Sequence, residues 1–163
     1  MKKILFVAVL ALASIMAYAQ PRAVGARLGY GAEFSYQHGF GESNMLELEV
    51  GVPAFNGLEV AITYDWIDPF NAPVPWDQRG EWHWYMGVGG ALATGGWKFN
   101  NGFIGAAGRI GIEYDFWFPL QLSIDFRPTL GVALAGNGQG GVAAAFGWDV
   151  YCGGLGLGVL YKF

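Results

Sequence analysis

The sequence predicts an all-β protein, an eight-stranded antiparallel up-and-down transmembrane β-barrel that follows a cleaved signal peptide. Three observations carry this prediction: an export signal at the N-terminus, apolar residues that recur with a period of two, and a repeated aromatic ending of the alternating segments. A composition of 53% hydrophobic and 13% charged residues excludes a disordered chain. The 27 glycines exclude a coiled coil, and the net charge of −4 excludes a basic nucleic-acid-binding face.

The N-terminus has the pattern of a secretory signal peptide. Met1-Lys2-Lys3 is positively charged, residues 4–16 are apolar, and Ala17-Tyr18-Ala19 supplies small residues at a cleavage site. The apolar run is short for a transmembrane anchor, which needs about 20 residues. We therefore predict residues 1–19 as the signal peptide and residues 20–163 as the barrel.

Apolar and polar residues alternate along most of the remaining chain. In residues 59–66 every second residue is apolar, and residues 109–116 and 120–127 repeat the pattern. Strict alternation is typical of a strand with one apolar and one polar face. The predicted strands lie near residues 23–30, 32–38, 44–52, 57–66, 82–90, 102–116, 119–128 and 149–163.

The two faces differ in the size of their side chains as well as in polarity. The apolar face, which is even-numbered from Val24 to Phe126 and odd-numbered in the last strand, is rich in large aromatic residues. The other face mixes charges with glycine, alanine and serine. A narrow barrel interior requires small residues beside its charges, whereas a surface in bulk water does not. We therefore predict that the apolar face contacts lipid and the polar face lines a lumen.

Four predicted strands end in a tyrosine followed two residues later by another ring. Aromatic side chains at strand ends are typical of a membrane interface, so we predict that all four endings lie on the same side of the barrel. His38 occupies the ring position of the first ending and is predicted to serve as an interface residue. The predicted aromatic girdle comprises Tyr36, Tyr64, Trp66, Tyr114 and Phe116.

The C-terminal strand completes this pattern with a terminal phenylalanine. Together with residues 111–116 and 120–128, it resembles the small outer-membrane β-barrels of Bacteroidetes-type bacteria, which are similar in size to OmpA/OmpX-type barrels. The resemblance covers residues 20–163 and implies location in the outer membrane of a Gram-negative cell, contact with its lipid, and insertion by the barrel-assembly machinery. The signal that this machinery would read is Leu155, Leu157, Val159, Tyr161 and Phe163.

The connection at residues 67–81 allows two arrangements. If it lies on the periplasmic side with both termini, an unusually long turn with three prolines is needed there. If residues 23–37 are instead one long strand, the connection becomes an outer loop, and a further strand is needed in residues 133–148. We prefer the first arrangement, and eight strands close the barrel in both.

The predicted lumen carries the charged residues of the strands. A charge that faces lipid at mid-bilayer costs about 2–4 kcal/mol for arginine or lysine, and inward placement avoids that cost. Four of these residues, Arg109, Glu113, Asp125 and Arg127, are predicted to form pairs across adjacent strands. The predicted lumen charge network is Arg27, Glu33, Glu47, Glu49, Glu59, Asp65, Arg109, Glu113, Asp115, Asp125, Arg127 and Lys162.

Three functional classes follow from these predictions. A salt-bridged plug in the lumen predicts a structural or surface-interaction role without catalysis, in which predicted loops at residues 91–101 and 129–148 could bind a ligand. A continuous wet path predicts a narrow porin-like channel for ions or small solutes. A lipid-modifying enzyme requires His83 or His38 beside a serine and a carboxylate, and the inward serines Ser35 and Ser123 lack a nucleophile-elbow motif.

No cofactor or metal is predicted for this chain. Two scattered histidines and the single Cys152 do not have the spacing of a metal site. The glycines of residues 136–141 do not join a strand to a helix, so a phosphate-binding loop is not predicted either. A single cysteine also excludes an internal disulfide framework.

Overall fold

The computed structural model describes residues 21–29, 31–40, 43–53, 57–67, 80–95, 99–137, 141–149 and 154–163. The described part of the chain contains no helix that is long and apolar enough to cross a membrane. The predicted signal peptide and Cys152 lie outside the described residues. The strands are β1 (Pro21–Leu28), β2 (Gly31–Gly39), β3 (Asn44–Pro53), β4 (Leu58–Ile67), β5 (Glu81–Gly95), β6 (Phe99–Asp115), β7 (Gln121–Phe126), β8 (Thr129–Asn137), β9 (Gly141–Asp149) and β10 (Leu155–Lys162).

The strands close into an antiparallel barrel with eight strand positions. Strands β1 to β6 each pair with the next in sequence, and β10 closes the ring by pairing with β7 and with β1. The closing register runs from Ala23 opposite Lys162 to Leu28 opposite Leu157. The predicted eight-stranded barrel is confirmed.

Strands β8 and β9 do not add positions to the ring; they lengthen the positions that β7 and β10 occupy. The register of β6 passes from β7 to β8 without a shift, so β7 and β8 are one strand position interrupted at Arg127 and Pro128. Proline has no backbone N–H to donate, but the carbonyl of Pro128 accepts a hydrogen bond from the Gly108 N–H at 2.9 Å. Strand β9 pairs with β8, and β10 pairs with β7. Since β7 and β8 form one strand position, their neighbours β9 and β10 together form the next one, which is the eighth.

Both ends of the described chain lie at one end of the barrel, which we call the terminal rim; the opposite end is the far rim. Strand β4 ends and β5 begins at the terminal rim, as the preferred arrangement of the connection at 67–81 predicts. The alternative, one long strand over residues 23–37, is wrong. The chain reverses between Leu28 and Gly31, where the Gly29 N–H donates to the Gly31 carbonyl at 3.0 Å.

The predicted loops over residues 91–101 and 129–148 are wrong. Strands β5 and β6 continue through this region to Gly95 and Phe99, and β8 pairs with β9 along its whole length. Glycine and alanine are depleted in strands, which makes these segments resemble loops in the sequence. Backbone pairing with neighbouring strands overrides that preference, so the segments predicted to bind a ligand as loops are extended hairpins.

These hairpins make one side of the barrel taller than the other. Strands β1 to β4 have 8 to 10 residues, whereas β5 and β6 have 15 and 17. Strand β5 pairs with β4 as far as Thr94, so its additional residues, 81–84, lie at the terminal rim. At the far rim the outer part of β6 continues with β8 and β9 beyond β7 and β10. We call this part the tall wall; it comprises residues 99–108, 129–137 and 141–148.

The two faces of the barrel follow the predicted parity. Outward residues are even-numbered through β8, as at Phe34, Val88 and Leu130, and odd-numbered in β10, as at Leu155 and Val159. Among the described residues, 25 large apolar side chains are exposed, whereas 18 polar or charged side chains are buried. The barrel therefore has an apolar exterior and a charged interior.

Candidate functional site: the charged lumen

Eleven residues of the predicted lumen charge network are buried on the inner face. The twelfth, Lys162, lies at the terminal rim with its side chain 31% exposed. Side chains alternate between the two faces along a strand. These residues are odd-numbered, or even-numbered in β10, and therefore point inward. The lumen of an eight-stranded barrel is only wide enough for side chains, so residues from opposite walls come into contact.

One buried arginine contacts three neighbouring strands across the lumen. Arg127, which follows β7, donates to Glu33 of β2 at 2.8 Å and to Glu59 of β4 at 2.7 Å. It also pairs with Glu49 of β3. Its planar guanidinium has donors in several directions, and it thereby connects one wall of the barrel to the opposite one.

Arg27 connects the closing strands of the ring. It donates to Asp125 of β7 at 2.9 Å and to Glu33 of β2 at 2.9 Å. A further bond goes to the carbonyl of Gly154 at 2.6 Å. Since β10 lies between β1 and β7, this side chain spans the strand that closes the barrel. Glu33 is shared by Arg27 and Arg127, so the two arginine clusters form one network.

Arg109 forms a second crossing nearer the terminal rim. It pairs with Glu47 of β3 and lies 3.5 Å from Asp65 of β4 and 3.3 Å from Asp125 of β7. Its guanidinium carbon lies 4.9 Å from the centre of the Tyr85 ring, a cation–π contact. Glu47 also accepts hydrogen bonds from Ser35 at 2.5 Å and Gln37 at 2.9 Å, which fix the carboxylate.

The predicted cross-strand pairs form only in part. Arg109 does pair with Asp125 of the adjacent strand. Arg127 takes its partners from β2, β3 and β4, and Glu113 pairs with Arg22 of β1. The prediction was wrong for these two residues because it considered only adjacent strands. A long arginine side chain in a narrow lumen reaches the opposite wall as readily as the neighbouring strand.

Arg22 belongs to the network although it precedes the first predicted strand and is not among the predicted lumen residues. A register shift between Pro21 and Ala23, where β1 meets β2, turns this even-numbered residue inward. Its guanidinium pairs with Glu113 and contacts the Met45 sulfur at 3.1 Å. The available signal was the charge itself, because an arginine on the lipid-facing parity contradicts the rest of β1.

A third cluster lies at the terminal rim. The Lys162 ammonium lies 2.7 Å from Asp115, and the His83 Nε2 lies 3.8 Å from the same carboxylate and 3.6 Å from Glu81. His83 therefore lies on the inner face, as its parity predicts. This cluster is more accessible to solvent than the contacts of Arg109 and Arg127, since the Glu81 side chain is mostly exposed.

Glycines make room for the network where bulky groups cross. A Cβ built at Gly111 would overlap the ring of Tyr85, and one at Gly156 would overlap the guanidinium of Arg27. A Cβ at Gly87 would overlap the carboxylate of Asp65. The small residues of the inner face are therefore a packing requirement of the large charged ones.

The network contains more acids than bases. Eight carboxylates face five cationic side chains in the described lumen, once Arg22 is included. Carboxylate oxygens of Glu49, Asp65 and Asp115 are buried without a hydrogen-bond partner. Within the described residues, no group of three or more His, Cys, Asp or Glu side chains is arranged to hold a metal ion.

The predicted aromatic girdle lies on the outer face at the terminal rim. Ring centres are 5.3 Å apart for Tyr64 and Trp66 and 4.7 Å apart for Tyr114 and Phe116. Tyr36 lies 6.1 Å from His38, whose ring packs edge-on against Phe40. The residues predicted as the barrel-assembly signal, Leu155, Leu157, Val159, Tyr161 and Phe163, form an exposed row on β10 and its end.

Comparison with models of protein families, with curated proteins and with solved structures finds no match for this chain. The fold and the lumen are therefore the basis for a functional proposal.

Proposed function

We propose that this protein is an integral outer-membrane β-barrel with a side-chain-filled polar lumen and a structural or surface-interaction role without catalysis. The observation that carries the proposal is the reversal of its faces. Leu155 is 66% exposed and Val88 59% exposed, while Arg127 is fully buried. Water-soluble proteins expose single apolar residues but rarely a continuous apolar band. Lipid is the solvent that suits this exterior, and β10 closes the ring by pairing the edges of β1 and β7.

The filled lumen supports a structural role over transport. Arg109 and Arg127 each connect the wall formed by β6 and β7 to carboxylates of β3 and β4. These crossings lie at successive levels, so a solute would have to break several buried ion pairs to pass. Removing one partner of such a pair costs about 3–5 kcal/mol.

Electrophoresis of boiled and unboiled protein from the outer-membrane fraction tests the proposal. A closed membrane barrel resists detergent until it is heated, because its backbone hydrogen bonds have no free edge. We expect a mobility shift on boiling. A protein that is soluble in the periplasm and shows no shift would contradict the membrane location.

The proposed insertion partner is the barrel-assembly machinery. In the variant Phe163→Ala, which changes the exposed C-terminal ring, we expect a lower amount of protein in the outer membrane. Phe116→Ala removes a ring of the girdle at the same rim and is the matched control. Equal amounts of the two variants would show that Phe163 has no special role in assembly.

A narrow cation channel is the second candidate. The surplus of carboxylates over cationic side chains favours it, since a wet acidic lumen attracts cations. Single-channel recording in a planar bilayer separates the two candidates. The structural proposal predicts no steady conductance, and a cation-selective conductance that changes in Glu59→Gln would support the channel.

A further inference from the structure

A groove of about 360 Å³ lies on the outer face of the barrel, near the terminal rim. It crosses β6, β7 and β10 and is bounded on one side by Trp82 of β5. Two rows of outward side chains line it. The register aligns Tyr114, Leu122 and Val159 in one row and Ile112, Ile124 and Leu157 in the other.

The lining of the groove is apolar. Five of the nine lining residues are aliphatic, and the rings of Trp82 and Tyr114, 4.8 Å apart, form the wall of the groove toward the terminal rim. Ser123 and Gly158 belong to the inner face and contribute the strand floor between the rows. Water in such a groove would have few polar partners, whereas each buried methylene group contributes about 0.8 kcal/mol.

The dimensions favour a slender ligand over a protein partner. Nine residues line the groove, whereas a standard protein interface uses roughly 20–30 residues on each side. The groove is also continuous with the apolar band that the proposed function places in lipid. Its aromatic wall lies at the rim where a membrane interface would hold lipid headgroups.

We infer that this groove binds one acyl chain of a membrane phospholipid, whose headgroup lies at the terminal rim beyond Trp82 and Tyr114. The inference rests on the proposed membrane location. It adds a defined lipid site to the exterior, in the leaflet on the side of the chain termini.

Lipid retention tests the site. The full barrel is reconstituted in vesicles of palmitoyl phosphatidylethanolamine and phosphatidylglycerol, extracted in mild detergent and weighed by native mass spectrometry. Val159→Phe fills the groove. Val88→Phe makes the same change at an outward position of β5 that does not line it; the two valines are 48% and 59% exposed. We expect wild type and Val88→Phe to retain one phospholipid, and Val159→Phe to retain it roughly tenfold less, as loss of about 1.4 kcal/mol implies.

A second measurement keeps the test valid if Val159→Phe does not fold. Wild-type protein is reconstituted with hexanoyl lipids of the same headgroups in mixed micelles. An acyl-chain site predicts loss of the retained lipid, whereas equal retention of both chain lengths would assign binding to the headgroup and overturn the inference. Equal retention by the two folded phenylalanine variants, or a dimer that disappears in Val159→Phe, would also overturn it. In each of these cases the boiling shift would persist and the membrane proposal would stand; failure to insert into vesicles would overturn both.

Discussion

The interior near the terminal rim and the tall wall are built in opposite ways. In the first, Arg109 and Arg127 cross a lumen that eight strands enclose, and their carboxylate partners come from β2, β3, β4 and β7. In the second, residues 99–108, 129–137 and 141–148 contain no charged residue. Phe103 and Ala107 are buried there.

The difference follows from what lies opposite each region. Where the ring is complete, a charge on β6 or β7 faces β3 and β4 and finds a partner at hydrogen-bond distance. In the tall wall, β8 pairs with β6 and β9, and no described pairing joins β8 or β9 to β1, β2, β3 or β4. A buried charge without a partner costs far more than an apolar residue. The inner face changes from charged to apolar where the short strands end.

The largest expected effect comes from removing the shared cation of the charged region. Arg127→Met removes the guanidinium that pairs with Glu33, Glu49 and Glu59, and we expect the free energy of unfolding to fall by about 3–5 kcal/mol. Lys162→Met is the matched control at the exposed rim, where loss of the Asp115 pair costs about 0–1 kcal/mol. Urea unfolding in lipid vesicles measures both. Equal effects would show that the lumen pairs contribute no more than surface pairs.

In the tall wall we expect a loss of unfolding free energy of similar or smaller size. There the cause is the cavity left by a removed side chain, and not a lost ion pair. Phe103→Ala removes a buried ring of β6, and we expect a loss of about 3 kcal/mol. The loss should be the same at low and high salt, because no ion pair is changed. Unfolding measured at two salt concentrations checks this, and a salt-dependent loss would contradict an uncharged tall wall.

Substitutions at two glycines of β6 compare a tightly packed position of the lumen with an open one, and the expected loss of stability is smaller. Gly111→Ala directs a methyl group into the ring of Tyr85 beside Arg109, and we expect a loss of about 1–3 kcal/mol. Gly108→Ala has only the Pro128 ring at 3.7 Å nearby, and we expect a change within about 0.5 kcal/mol. The thermal or urea midpoints of the two variants give the difference. Similar values would show that the lumen is loosely packed at Tyr85.

The barrel is predictable because the alternation of apolar and polar residues is the strongest pattern in the sequence and also determines the fold. Strict alternation assigns each residue to a face, and a one-residue slip would place every charge outside. This is why the faces of the strands and the side of the connection at 67–81 are predictable. Most of the tall wall is not, because Gly–Ala segments such as 141–145 carry no alternation and are predicted as loops.

The partners within the lumen are predictable only in part. Parity identifies the face of Arg127 but not that its carboxylates lie on β2, β3 and β4, since the distance across a barrel depends on closure. Arg22 shows a second limit. A shift of one residue between Pro21 and Ala23 reverses its direction, and no pattern in the neighbouring residues encodes that shift.

A substitution at Val88 tests most directly whether the outer face contacts lipid. This residue lies at the middle of β5 (Glu81–Gly95) and is 59% exposed. In Val88→Arg we expect the free energy of unfolding from lipid vesicles to fall by about 2–4 kcal/mol, because arginine would face the bilayer midplane. Ser43→Arg, at an exposed position of the terminal rim, is the control. A change within about 0.5 kcal/mol for Val88→Arg, as at a surface in water, would contradict the account.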